Sequence, residues 1–119
     1  MGYNRIMKFE EYDKIAITTL GDTYKIGDIT AQMMGMILGL GGESGEVFEK
    51  FKKIMRDRDG KITDSDKAEI AKELGDILWY ISATAHLLGY SLEEIARKNN
   101  DKLISRRERD QLHGSGDNR

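Results

Sequence analysis

Eight apolar residues, Ile70, Ala71, Leu74, Ile77, Leu78, Ile81, Ala85 and Leu88, recur at three- and four-residue spacing and fill an arc of about 120° on a 3.6-residue wheel. A strand alternates with a period of two, so no strand could bury that set on one face. The segment must be an amphipathic helix, and such a helix needs partners. The chain has no proline, the residue that most strongly interrupts helices, and helical spacing recurs along it. Four helices are predicted, over about 8–20, 30–57, 65–88 and 91–110. Phe9, Tyr12, Ala16 and Leu20 form the stripe of the first. Ser91 and Glu94 have capping-box spacing at the start of the fourth, after Gly89 has closed the third. Short connections between amphipathic helices predict an all-α, antiparallel four-helix bundle. Residues 1–110 form one helical domain in this reading, and 111–119, which include "HGSGDNR", a flexible tail.

Composition narrows the function. Without cysteine neither a disulfide nor a thiolate-held zinc is possible. A net charge of −2 gives no general attraction to nucleic acid or anionic lipid. No apolar run approaches the roughly 18 residues of a membrane span, and no secretory leader pattern is present. The expectation is a cytoplasmic protein that binds neither membrane nor nucleic acid. "KLISRRERDQ" is basic but interleaved with acids and lacks aromatic stacking residues, so it makes a poor nucleic-acid face. "MRDRDGKITDSD" imitates a calcium loop, with Asp57, Asp59, Thr63 and Asp66 at ligand positions around Gly60. Met55 at its first position offers no oxygen and Asp66 replaces the usual bidentate glutamate, so a polar helix–helix loop is expected.

The second helix carries an unusual load of glycine: Gly35, Gly39, Gly41, Gly42 and Gly45. Each interior glycine costs about 1 kcal/mol relative to alanine. Either the helix breaks near Gly41–Gly42, or the glycines admit another backbone. Gly41, Ser44 and Phe48 share the apolar side, which favours close approach there.

"GLGGESGEVFEK" resembles a phosphate loop in its glycines, yet lacks the lysine and hydroxyl that a P-loop requires. It presents Glu43 and Glu46, three apart on one helix face. Glu73 and Asp76 repeat that spacing on the third helix. Both pairs border an apolar stripe, so packing of the two helices can bring the four carboxylates to one groove. Such a cluster repels itself unless a cation joins it. Oxygen-only ligands suit Mg²⁺, which also takes phosphate oxygens. The glutamates would then hold metal and the metal would hold phosphate. E-x-x-E and E-x-x-D are also common on solvated helices, and each pair alone would read as surface charge.

Lys50 and Lys53 continue the first acidic stripe, to pair with the acids or reach phosphate. Tyr80 lies one turn beyond Asp76, to contact substrate or only to pack. Asn99 interrupts the apolar line of Leu92, Ile95 and Leu103, where its amide needs partners or reads a base edge. Lys102 and Arg106 lie beside it, as substrate contacts or a solvated flank.

"GLGGESGEVFEKFKK" followed by "KELGDILWYISATAHLLGYSLEEIARKNNDKLISRR" resembles the MazG-like all-α nucleoside triphosphate pyrophosphohydrolases. The likeness covers roughly residues 9–107. The family pattern is E-x-x-E, then E-x-x-D, then an asparagine and a basic residue on the last helix: Glu43, Glu46, Glu73, Asp76, Asn99 and Lys102. The resemblance implies a four-helix bundle with Mg²⁺ on the four acids, Mn²⁺ being able to substitute. It implies cleavage between the α and β phosphates, to a monophosphate and pyrophosphate, with removal of noncanonical nucleotides as one role. It also implies a homodimer or homotetramer. Gly42 stands where many relatives carry a further acid, which leaves the number of metal ions open. Phosphoribosyl-ATP pyrophosphohydrolases share the acidic pattern. A non-enzymatic helical interaction module is the remaining alternative, because Trp79 points about 140° from the centre of the apolar stripe, as a residue at an interface would.

Overall fold

The computed structural model describes residues 6–109, in which four helices and no strand are present. These are α1 (Phe9–Ile17), α2 (Ala31–Arg58), α3 (Asp64–Leu87) and α4 (Leu92–Glu108). Each boundary has a local cause. Thr30 opens α2, its hydroxyl accepting the Met33 N–H at 3.1 Å. Asp59 (φ 52°) and Gly60 (φ 75°) turn the chain out of α2. Thr63 and Asp66 form a reciprocal capping box at the start of α3, and Ser91 and Glu94 form the one expected at α4. Gly89, at φ 84°, lets the Tyr90 N–H fold back onto the Ala85 carbonyl at 2.9 Å, which ends α3 with a left-handed residue where glycine carries no steric penalty.

α2 packs against α3, and α3 more sparingly against α4. The α2–α3 pair is an antiparallel hairpin. Near the turn, Arg58 Nη2 donates to Asp66 Oδ1 at 2.7 Å, and at the far end Gly39 meets Tyr80. Ile54 and Ile70 are buried along this seam, and Ala85 is buried higher on α3.

Two expectations are corrected here. α2 runs unbroken through all five glycines. Close approach occurs at Gly39 alone among them; a side chain at Gly35, Gly41, Gly42 or Gly45 would meet nothing. The face with Gly41 and Phe48 points away from α3, and Phe48 is 71% exposed. The second correction concerns α1, which contacts no other helix. Within one chain the bundle therefore has three helices. Phe9 of the α1 stripe is 89% exposed, and a helix of nine residues is marginal in water without cover.

No helix among the described residues is long and apolar enough to cross a membrane. The residues proposed as a flexible tail, 111–119, lie outside those described.

Candidate metal centre

Glu43 comes from the middle of α2, and Glu73 and Asp76 from the middle of α3. One carboxylate oxygen from each lies within 4.8 Å of the other two. The antiparallel hairpin creates this juxtaposition: acids thirty residues apart in sequence meet because each sits at the edge of its own apolar stripe. Glu43 and Glu73 are half-buried and Asp76 is exposed, so the cluster has a protein side and an open side.

Its electrostatics are those of a site short of positive charge. Glu43 is held above the ordinary carboxylate range, first by a hydrogen bond with the Glu73 side chain, then by desolvation and by the charges of Asp76, Glu46 and Glu73. Carboxylates this close repel one another when ionised. A hard divalent cation would relieve that repulsion, and the all-oxygen donor set fits Mg²⁺ or Mn²⁺. Lys50 on α2 reaches across the seam, its Nζ 4.0 Å from Glu73 Oε1.

Residues 31–109, which span α2 to α4 and carry the whole carboxylate cluster, match the MazG nucleotide pyrophosphohydrolase domain. The chain belongs to this family. A curated relative, the Gene 37 protein of Mycobacterium phage L5, is 45% identical over 99 residues, which cover 83% of each chain. No solved structure matches the chain. The matched region begins after α1, the helix that packs against none of the other three.

The other residues singled out in the sequence fall into separate neighbourhoods. Glu46 is not one of the converging three. It is exposed and lines a shallow depression with Glu49, Lys50 and Lys53, near enough for its charge to act on Glu43. Lys53 also borders a cavity of about 270 Å³ with Ile54, Asp57, Arg58 and Asp66. Tyr80 is half-buried against Gly39, one turn from Asp76. Asn99 and Lys102 line a larger groove of about 700 Å³ between α3 and α4, walled by Leu78, Ile81, Leu88 and Ile95. Leu78 and Ile81 lie on a different side of α3 from Asp76, by roughly 100° or more on the wheel. The acids and the Asn99 groove thus occupy two faces of the same helix. Arg106, expected on a solvated flank or against substrate, is only 4% exposed.

In the loop that imitates a calcium site, Asp57, Thr63 and Asp66 are otherwise engaged. Asp57 accepts from Arg56 at 2.7 and 2.9 Å. Asp66 accepts from Arg58 and from the backbone and hydroxyl of Thr63. Sequence reading did not single out the Gly39–Tyr80 contact. The available signal was that Gly39 precedes Glu43 by four residues and Tyr80 follows Asp76 by four, which places both on the acidic seam.

Proposed function

We propose that this MazG domain is a Mg²⁺-dependent nucleoside triphosphate pyrophosphohydrolase, with Mn²⁺ as an alternative metal, that cleaves between the α and β phosphates and clears unwanted nucleotides from the pool. The observation that carries this reading is the convergence of Glu43, Glu73 and Asp76 from two helices in a member of this family. The metal, when bound, supplies charge neutralisation at the phosphates and a lowered pKa for coordinated water.

The chain's own groups provide the rest. Glu43, Glu73 and Asp76 would hold the cation, and Glu46, which is exposed, adds negative charge and could accept a proton from the attacking water. Lys50, already at Glu73, could reach an incoming phosphate, and Lys53 extends the positive edge. Asn99 and Lys102 offer amide and ammonium contacts in an apolar groove of a size suited to a small ligand.

A homodimer or homotetramer completes the proposal. The radius of gyration, 21.2 Å, far exceeds the value of about 13 Å for a compact chain of this size. Phe9, Phe48 and Trp79 are mostly exposed. A second copy would cover these apolar faces and give α1 a partner. It would also bring a second set of α3 and α4 residues towards the acids, which a single chain keeps on different faces.

The test is pyrophosphate release from a panel of canonical and modified nucleoside triphosphates and phosphoribosyl-ATP, with Mg²⁺ and with chelator. Metal-dependent turnover with the ¹⁸O of labelled water in the monophosphate is expected. Label in pyrophosphate would place attack at the β phosphorus and reject this mechanism. Preference for phosphoribosyl-ATP would move the substrate class, and no turnover of any compound would favour an interaction module.

A further inference from the structure

Gly39 is the one glycine of α2 whose missing side chain is structurally required. An ideal Cβ at this position would overlap Cε1 and Cζ of the Tyr80 ring and lie 2.8 Å from Cδ1. The ring of Tyr80 therefore rests directly on the bare backbone of α2. This contact sits next to the acids in the seam. Gly39 is one turn before Glu43 on α2, and Tyr80 is one turn after Asp76 on α3. The Tyr80 backbone is also tied into its own helix, its carbonyl accepting the Thr84 hydroxyl at 2.7 Å. Local propensity opposes glycine here, because alanine is better in a helix interior by about 1 kcal/mol. Tertiary packing has overridden it.

We infer that Gly39 and Tyr80 form the spacer that sets the α2–α3 separation at the metal centre, and that Gly39 is a positioning residue for Glu43 against Glu73 and Asp76. The inference rests on the metal-site reading above and deepens it. Coordination of Mg²⁺ or Mn²⁺ tolerates little change in metal–oxygen distance. A methyl group wedged under the Tyr80 ring pushes the helices apart one turn from the carboxylates, a displacement that their short side chains cannot fully follow. The three atoms nearest the added Cβ are ring carbons, so the ring is expected to set this spacing.

The experiment measures Mn²⁺ affinity of the otherwise metal-free protein by calorimetry, with far-ultraviolet circular dichroism to verify folding. Gly39→Ala should keep its helix content yet bind Mn²⁺ roughly ten-fold more weakly, as misplaced ligands around a hard cation do. Gly35→Ala makes the same propensity gain into open space, and its affinity should stay within about two-fold of wild type, as for an independent site. Tyr80→Phe keeps the ring and should also bind normally. Tyr80→Leu should bind more weakly by itself, and adding Gly39→Ala to it should cost no further affinity, because the clash is gone. Equal affinity of Gly39→Ala and wild type overturns the spacer inference and leaves the metal site standing. A wild-type protein that binds no Mn²⁺ overturns the metal reading and this inference with it. Should Gly39→Ala fail to fold, Tyr80→Leu decides: full Mn²⁺ affinity in that variant overturns the spacer role, and a several-fold loss that Tyr80→Phe does not share supports it.

Discussion

Lys50 bridges the two helices of the candidate metal centre, its ammonium nitrogen 4.0 Å from Oε1 of Glu73. The lysine and a bound metal ion would compete for the same carboxylate charge. Two unit charges at about 4 Å interact by about 1 kcal/mol in a water-like dielectric. Lys50→Gln should therefore leave Mn²⁺ affinity unchanged or raise it several-fold, while raising KM for a nucleoside triphosphate. Calorimetry and steady-state kinetics on the same preparation separate the two effects. A fall in metal affinity would show that Lys50 supports the ligand geometry.

Glu43→Gln and Glu73→Gln each remove one anionic oxygen donor while preserving shape. Each should lower Mn²⁺ affinity by more than ten-fold and abolish most turnover, by the requirement of hard cations for charged oxygen ligands. Without metal the same variants should melt higher than wild type, because a like-charge contact has been removed. Glu46→Gln, outside the converging three, should lose turnover with a smaller loss of metal affinity. Thermal melts with and without Mn²⁺ measure both effects, and a variant that melts lower in both conditions would contradict the repulsion argument.

The pH dependence has two limbs of opposite sign. Glu43 is raised above its ordinary 4.5, so its contribution to the metal-free fold is full below that value and is lost as pH rises through the elevated pKa. A cation binds the ionised carboxylates, so Mn²⁺ affinity should increase as pH rises through the same window, and binding within that window should release protons into the buffer. Asp66 is depressed below its ordinary 3.8, chiefly by Arg58 and then by the Thr63 N–H. Its contribution is full above 3.8 and is lost as acid protonates it. Stability curves of Glu43→Gln and Asp66→Asn should each lack one limb.

Thr63 caps α3 with its hydroxyl, which accepts the Asp66 N–H at 3.1 Å. Thr63→Ala should lower stability by about 1 kcal/mol, as loss of an N-cap usually does. Helix content should be retained, and the change is read in a denaturant titration. A neutral result would mean that Asp66 alone holds the end of the helix.

Sedimentation at micromolar concentration should detect a dimer or tetramer. Trp79→Glu, at a side chain 58% exposed in the single chain, should shift it towards monomer without loss of secondary structure. A stable wild-type monomer would overturn the assembly proposal.

The sequence by itself determined the helices. Periodicity located α2, α3 and α4 to within a residue or two, because caps such as Ser91–Glu94 and the left-handed Gly89 are local devices whose chemistry acts over a few residues. It also put the acids at the edges of apolar stripes, which made Glu43, Glu46, Glu73 and Asp76 candidate neighbours before any contact was known. Tertiary structure alone decided which acids meet, since the 4.8 Å convergence depends on helix rotation and register to a fraction of a turn, finer than a wheel resolves. It separated Glu46 from the three and Asn99 from the acids. It left α1 without a partner, because an apolar stripe states that a helix needs covering but not by what. Of the five glycines in α2 that look alike in sequence, it selected Gly39, because only there does a ring from another helix occupy the place of the missing side chain.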